Sequence, residues 1–463
     1  MKLTIITILL FSSISISAAP WISTQDLSLR SDLETLADVG LIKTPITTYP
    51  LMWAGIIKEI DKHDIRNIGQ EYKDIFWRVK SAGKRALRNE SKKILKLSVA
   101  SSEQVLRSFG DSARSEIEVT ANSASMNKYF AWNLQVNRVV NPFDEDTLHY
   151  DGSYIAGVWG NWVTSVGKVE KWWGASWDSA NLISNNARSP LAISVDRNYP
   201  NAIDSPWLSW IGPFSISGFV GQLDDSRFIS DPTLAGFSLT TKPVEWLEVG
   251  LRTTTISGGS YDGIDESLNR DSKQINGLDL RWSLPSPIPT NFYFSVTDEG
   301  QEANFSTQQF GLTSSFKLFQ QDWRVILESS KTYPSDEEIN VAYENDYYQS
   351  GYRYNQRAIG STFDNDSKAL TFSLIGNLTR HQAIQVKFQK LKINQLGNAT
   401  GTDLVHSINS QAVDTNRMVL NWDYQASKKH RFNIGVEVTD EIVDGLGRLS
   451  ERVRASASWS YYL

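Results

Sequence analysis

Cysteine is absent from this chain, which rules out a disulfide framework and any thiolate metal site. Histidine is scarce. His63, His149, His381, His406 and His430 lie far apart, so a multi-histidine centre has no basis, and no metal or other cofactor is expected. Long apolar runs are missing too. Beyond Phe11 no segment approaches the roughly 20 apolar residues of a spanning helix, because Lys, Asp, Arg or Asn breaks each run. A helical inner-membrane protein is thereby excluded. Nor is positive charge in excess: a net charge of −6 argues against a nucleic-acid partner.

Aromatic side chains, by contrast, are abundant, with 16 Trp and 17 Tyr. Such a supply fits either a girdle at a membrane interface or a glycan-binding surface, and composition does not separate the two. The amino terminus has the form of a secretory signal. Lys2 precedes an apolar stretch, Leu3 to Phe11, and small residues follow from Ser12 to Ala19. Cleavage after Ala18 is expected, because a cut one residue later would leave Pro20 first. Export leaves two classes, a soluble periplasmic or secreted protein and a transmembrane β-barrel.

Residues 26 to about 90 read as helices. Asp26 is placed to cap a helix with the apolar stripe Leu29, Leu33, Leu36 and Ala37, and Gly40 sits at its C-terminal cap. A second helix is expected over Leu51 to Lys62, with Pro50 near its first position. A third runs from about Gln70 to Asn89, with Tyr72, Ile75, Phe76 and Val79 inward. Its basic end, Lys80, Lys84, Arg85 and Arg88, reads as a solvated helix C-terminus or as a contact with membrane or peptidoglycan.

From Ile94 the hydrophobic period changes to two. Sixteen segments have strand character, from 94–100 and 115–121 through 129–137 and 152–164 to 430–439 and 451–463. Leu278, Leu280 and Trp282 share one face against Asp279 and Arg281, and Phe432, Ile434, Val436 and Val438 alternate with Asn433, Gly435 and Glu437. No repeat of 40–50 residues suggests a propeller. The last strand alternates Val453, Ala455, Ala457, Trp459, Tyr461 and Leu463 with Arg and Ser, like the terminal signal of outer-membrane barrels, although Leu463 replaces the usual aromatic. The fold expected is mainly β: a large antiparallel transmembrane β-barrel of about 16–18 strands, at roughly 20 residues per strand. The domains are a signal peptide over 1–18, a periplasmic helical domain over 19–93 and an outer-membrane barrel over 94–463.

Two segments stand out as candidate sites. The first, Val166 to Asp196, combines Trp172, Trp173 and Trp177 with Asn185, Asn186 and Arg188. Flat apolar faces beside directed hydrogen-bond donors suit a sugar, whose ring has C–H faces and a hydroxyl rim. Loop packing or a girdle is the competing reading for the tryptophans. Asn185, Asn186 and Arg188 read as residues that hold an inward-folded loop together and line the lumen, since a buried arginine needs partners. The second segment runs from Tyr347 to Tyr354. Either Tyr347, Tyr348, Tyr352 and Arg353 present a polar aromatic face to glycan, or the alternating Tyr348, Tyr352 and Tyr354 form part of an interfacial girdle.

The chain resembles the capsule-assembly Wzi family over almost its whole mature length. The opening APWISTQDLSLRSDLETLADVGLIKTPITTYPLMWA is similar to the family's helical segment. HYDGSYIAGVWGNWVTSVGKVEKWWGASWDSANLISNNARSP, His149 to Pro190, is the most specific match. FYFSVTDEGQ, RVILESSKT and YYQSGYRYNQRAIGSTFDNDS follow in family order. Ala175 and Ser176 stand where a Gly-Pro pair is expected. The resemblance implies the upper strand number, a periplasmic helical bundle and a lectin for capsular or related surface polysaccharide.

The acidic clusters Asp144-Glu145-Asp146, Asp224-Asp225, Asp298-Glu299 and Asp364-Asn365-Asp366 carry no spacing that pairs them for glycoside hydrolysis. EF-hand and G-x-S-x-G patterns are absent. The function expected is non-catalytic retention of capsular or other exopolysaccharide at the cell surface by an outer-membrane lectin. The alternative is a porin-like channel for small solutes or glycan. Expected partners are surface polysaccharide, outer-membrane lipid and, for the helical domain, periplasmic or export components.

Overall fold

The structure, a computed structural model, describes residues 19–88, 91–111, 113–142, 144, 146–260, 272–300, 305–335, 341–395, 406–443 and 451–463. The signal peptide expected over 1–18 lies outside the described residues, as does Glu145.

Alternation of apolar and polar residues builds the sheet, because a period of two sends one set outward and the other into the lumen. An 18-strand antiparallel barrel results. Its first six strands are β1 (Lys92–Ala100), β2 (Ile117–Met126), β3 (Phe130–Val140), β4 (Leu148–His149 and Tyr154–Trp159), β5 (Trp162–Gly167) and β6 (Leu191–Arg197). Both pieces of β4 pair with β3, interrupted around Gly152. The next six are β7 (Phe214–Gln222), β8 (Thr233–Val244), β9 (Leu247–Ser257), β10 (Lys273–Ser283), β11 (Thr290–Asp298) and β12 (Thr307–Leu318). Then come β13 (Gln321–Lys331), β14 (Lys368–Thr379), β15 (Gln382–Ile393), β16 (Val413–Gln425), β17 (His430–Thr439) and β18 (Val453–Tyr462). Closure comes from β18 against β1, with Trp459 opposite Leu97 and Tyr461 opposite Leu95. No sheet edge is then left to pair elsewhere.

Two strands differ from expectation. The segment 152–164 is not one strand but the end of β4, a tight turn at Gly160 and Asn161, and the start of β5. Gly160 takes the left-handed φ of 57° that a two-residue turn requires, but its Trp neighbours on either side make it read as strand interior. β6 was hidden in the polar end of the tryptophan segment. Leu191 and Ile193 face outward while Ala192 and Ser194 face in.

The outward face is apolar. Leu97, Leu134, Ile193, Val220, Leu251, Phe310, Leu327, Phe388 and Ile434 are all exposed. A surface of that kind is matched to hydrocarbon rather than water. One end of the barrel has tight turns, such as Leu318–Gln321 and Thr379–Gln382, and there the Leu463 amide donates to the Lys93 carbonyl at 3.0 Å. Exposed Trp159, Trp246, Trp282, Phe319 and Trp459 lie near this end, in the manner of an interfacial aromatic row. At the other end are the long connections, including 168–190 and 332–367.

The helices follow the stripe pattern. α1 (Leu27–Asp38) is capped by Asp26, which accepts from the Leu29 amide at 2.9 Å, and Gly40 ends it with a φ of 75°. α2 spans Trp53–Ile60, two residues shorter at its start than expected. Leu51 and Met52 are extended and pair with Ile22 and Trp21, so Pro50 does not open the helix. α3 spans Lys73–Ala86 after a 3₁₀ turn at Gln70–Tyr72, with Ile75, Phe76 and Val79 buried. Leu33, Leu36, Ile56, Phe76 and Val79 make one core, which Trp172 joins from the long connection. The helices are not a body beside the barrel; they wedge into its tight-turn end.

Candidate functional site

The lumen is filled in layers. At the tight-turn end α1 is tied to one wall. Fully buried Arg324 on β13 donates to Ser31 Oγ (3.1 Å), Thr35 Oγ1 (3.0 Å), Thr313 Oγ1 (2.7 Å) and Glu34 (3.3 Å). Asp38 accepts from Arg281 on β10 at 2.5 Å and from Asn291 on β11 at 2.9 Å. Arg78 on α3 bridges Asp32 (2.7 Å) and Asp322 (2.8 Å). On β9, Glu248 accepts the amides of Ile46 (3.0 Å) and Thr47 (2.9 Å). Each buried charge here has a counter-charge or several donors, as burial requires.

The tryptophan segment forms the second layer. Trp172 and Trp173 are extended and pair with Tyr49 and Thr48 of the helical domain. Trp172 is fully buried, donates its indole N–H to the Ser176 carbonyl at 2.9 Å and meets Phe109 edge-on, centroids 5.5 Å apart. Trp173 meets Phe219 in the same manner at 5.6 Å. Trp177 lies under the Arg30 guanidinium, 4.2 Å from its centroid, while Arg30 donates to the carbonyls of Ala175 and Ser176. Asp178 accepts from Lys387 on β15 (2.7 Å), Thr371 on β14 (2.6 Å) and Ser108 (2.7 Å). The three indoles are buried against protein, the arrangement that the loop-packing reading describes.

Asn185 and Asn186 lie higher in the same layer. Asn185 donates to the Ser108 carbonyl at 3.2 Å, and Asn186 to the Ala358 carbonyl at 3.1 Å. Their own carbonyls receive Arg114 at 3.0 and 2.7 Å. Arg188 pairs with Asp144 at 2.8 Å and with Asp151. Residues 101–111 and 113–116 fold inward here, and Arg107 holds the carbonyls of Asp111 and Ala113 at 2.7 Å each.

The third layer is built by residues 332–335 and 341–367, between β13 and β14. Tyr343 donates to the Asn181 carbonyl at 2.6 Å and stacks on Tyr352 at 5.9 Å. Tyr348 and Tyr352 are buried, and Tyr348 donates to the Gly258 carbonyl at 3.1 Å. Arg353 is clamped by Asp364 (2.9 Å to each oxygen) and Glu344 (2.5 Å), under the turn at Asn355 and Gln356, whose φ values are 46° and 61°. Arg227 caps the carbonyls of Arg353 (2.8 Å) and Gly351 (2.9 Å). Tyr348, Tyr352 and Arg353 are thus interior. Neither is Tyr352 or Tyr354 part of a girdle, since both are buried in the loop rather than turned to lipid. Tyr347 alone of the four is half-buried, beside exposed Asp346 and Gln349.

Sequence reasoning missed Arg30, Phe109, Asp178 and Arg324. A signal existed for the last. Arg324 and Glu328 share the polar face of β13, whose other face is Val325 and Leu327, and charges on a lumen face need an inserted partner. Nothing local marks Arg30 or Phe109, whose roles depend on the tryptophan segment, about 60 or more positions away.

A closed barrel with an apolar outer face and a lumen filled from both ends is a plugged β-barrel of the outer-membrane type. The family model of the capsule assembly protein Wzi matches residues 86–444, and the chain belongs to that family. Wzi of Escherichia coli, an outer-membrane protein of group 1 capsule assembly described as a carbohydrate-binding barrel, superposes with a TM-score of 0.85 at 19% identity. The superposition covers 96% of this chain and 99% of that one. An uncharacterized 55.8 kDa protein from the cps region of Klebsiella pneumoniae is 22% identical over 320 residues, 64% of this chain and 62% of that relative's length.

Proposed function

We propose that the protein is a non-catalytic lectin that retains or organises capsular or other exopolysaccharide at the outer surface of the cell, with its long-connection end outward. The observation that carries this reading is the rigid floor beneath that end. Arg353, Arg227, Arg114 and Asp178 cross-link the connections to each other and to the wall, so rim groups are held in place before a polymer arrives. Preorganisation of that kind lowers the ordering cost of binding. Many weak contacts along a repeating polymer then add through avidity. Tyr347 is the residue of the tyrosine segment that offers a face to sugar, with Asn345 and exposed Gln349 beside it. Membership of the capsule assembly family supports polysaccharide as the partner.

Hydrolysis is disfavoured by how the carboxylates are used. Asp364 is clamped to Arg353, Asp144 is paired with Arg188, and Asp224 accepts from the Asn355 amide at 3.1 Å. None of these is left as a proton donor opposite a second carboxylate.

The test is co-sedimentation of detergent-folded protein with polysaccharide from its own cell surface. Wild type is compared with Tyr347→Ala and Trp172→Ala variants that keep heat-modifiable mobility. The expected result is binding by wild type, weakened by Tyr347→Ala and kept by folded Trp172→Ala. No binding by wild type sinks the reading.

A further inference from the structure

One connection at the tight-turn end is unlike its neighbours. Between β6 and β7 the chain spends 16 residues, 198–213, where two suffice at Glu245 and Trp246 and again at Phe319 and Gln320. Its first part faces the plug. Asn201 Oδ1 accepts from Lys58 Nζ of α2 at 3.2 Å, and that ammonium lies 5.2 Å from the centroid of the Tyr199 ring. Its second part, 205–213, reads SPWLSWIGP and carries no charge. The amides of Leu208 and Ser209 donate to the Ser205 carbonyl at 3.2 and 2.9 Å, and a 3₁₀ turn follows at Ser209–Ile211. Trp207 is 84% exposed and Trp210 70%, with Leu208 exposed between them.

The contacts of this turn fix its side of the wall. On β8, Ser238, Thr240 and Lys242 face the lumen, so Thr241 points outward. Thr241 Oγ1 donates to the Ile211 carbonyl. Arg197 and Phe214, at the adjoining ends of β6 and β7, also hold outward positions, and the Arg197 guanidinium lies 3.5 Å from the Phe214 centroid. The turn therefore hangs on the outside of the barrel's foot rather than across its mouth. Further round the same foot, exposed Trp246 and outward Trp282 pack with centroids 5.8 Å apart. Above lie the outward residues Val220, Phe237 and Leu251 of β7, β8 and β9. The apolar surface of the turn is thus continuous with the wall that meets hydrocarbon. An indole at that level finds apolar contact for its faces and a polar layer for its N–H.

We propose that residues 205–213 are a membrane anchor: Trp207, Leu208 and Trp210 insert into the phospholipid leaflet at the tight-turn end. The same connection reaches α2 through Tyr199 and Asn201, so it links the bilayer surface to the plug. This role is separate from what the opposite end of the barrel binds.

Depth-dependent quenching tests it, and a chain without cysteine permits one label at a time. Trp207→Cys and Trp210→Cys, each carrying a nitrobenzoxadiazole fluorophore, are folded as full chains into vesicles of phosphatidylethanolamine and phosphatidylglycerol. Leu251→Cys on the lipid face and Ser226→Cys, exposed between β7 and β8 at the other end, are the references. Brominated acyl chains are expected to quench both turn labels by roughly a third or more, and iodide to quench them several-fold less than the Ser226 label. Heat-modifiable mobility verifies folding of each labelled protein, and with two exposed positions one folded variant is enough. Quenching by iodide as at Ser226, with none by brominated lipid, overturns the proposal. So does protection from both quenchers, which would mean that a second copy of the chain covers the turn. Neither readout involves polysaccharide, so its failure leaves the lectin reading standing.

Discussion

Arg353 has both of its carboxylate partners inside the same connection, Glu344 and Asp364, and this makes it the pin of the outermost layer. Burial alone would raise the Asp364 carboxyl; the Arg353 charge outweighs it and holds Asp364 well below the usual carboxylate range. Arg353→Ala leaves two buried carboxylates without their cation, a loss of about 3 kcal/mol or more. The expected outcome is faster limited proteolysis within 341–366 with the barrel's heat-modifiable mobility intact. Arg353→Lys is expected to restore little, since an ammonium does not reproduce the two-pronged contact with Asp364. His406 makes a second prediction. Its Nε2 donates to the Asn365 carbonyl at 2.9 Å and its Nδ1 accepts the Ile408 amide at 3.2 Å, so a second proton on Nδ1 would oppose an N–H donor. Burial lowers its pKa, against the pull of Asp364, and Arg353 nearby adds to the lowering. A lowered folded-state pKa contributes stability that is present above the ordinary histidine value of about 6.5 and is lost as pH falls below it. Protection factors of the Ser407, Ile408 and Asn409 amides, taken relative to the intrinsic exchange rate at each pH, are therefore expected to fall from pH 7.5 to 5.5 by on the order of several-fold, and His406→Gln to flatten that dependence.

At the scale of elements, α1 is the member whose sequence was easiest to read and whose task was hardest. Its apolar stripe, Leu29, Leu33, Leu36 and Ala37, is buried as the spacing predicts. The face that a solvated helix would give to water is instead buried, Glu34 and Asp38 against Arg281 and Arg324 of the wall and Arg30 over Trp177. Loosening this contact has a clean reporter, because the chain contains no cysteine. Ser315 on β12, whose hydroxyl lies 2.9 Å from that of Thr35, sits beneath α1. Ser315→Cys is expected to react slowly with a maleimide, and roughly tenfold faster when Glu34→Gln and Asp38→Asn are added, since local opening then costs less. Equal rates would mean that the plug is held chiefly by its apolar core. The two missed strand features belong to this scale as well. Gly160 and Asn161 sit between tryptophans that read as strand, and Leu191–Arg197 is short and ends in Asp196 and Arg197, so neither carried a long alternation to reveal it.

For the whole molecule, closure and filling act together. The β1–β18 seam brings the two ends of the barrel domain into register, and the inserted layers brace the wall from within. Loss of the protein from its cell is expected to shed surface polysaccharide into the medium while total polymer stays near normal. Polymer assayed in cell-bound and released fractions measures this, and normal retention would count against the lectin reading. How far the sequence carried is clearest here. A period of two over some 370 positions, broken by turns and ending on an apolar face, determined an antiparallel sheet with one lipid side. A carbon-rich face in contact with hydrocarbon and a polar face in contact with water leave that pattern in any order of assembly. The helical stripe and the Asp26 cap were determined in the same local way. Whether Trp172 or Tyr352 meets a sugar or the protein's own interior was not. An indole or phenol asks for the same things in both places, apolar contact on its faces and one partner for its polar atom. Only the inward folding of 168–190, 332–335 and 341–367 decided between them, and that folding rests on charges, Glu328, Asp178 and Lys387 among them, that reach across about 150 to 210 positions of chain.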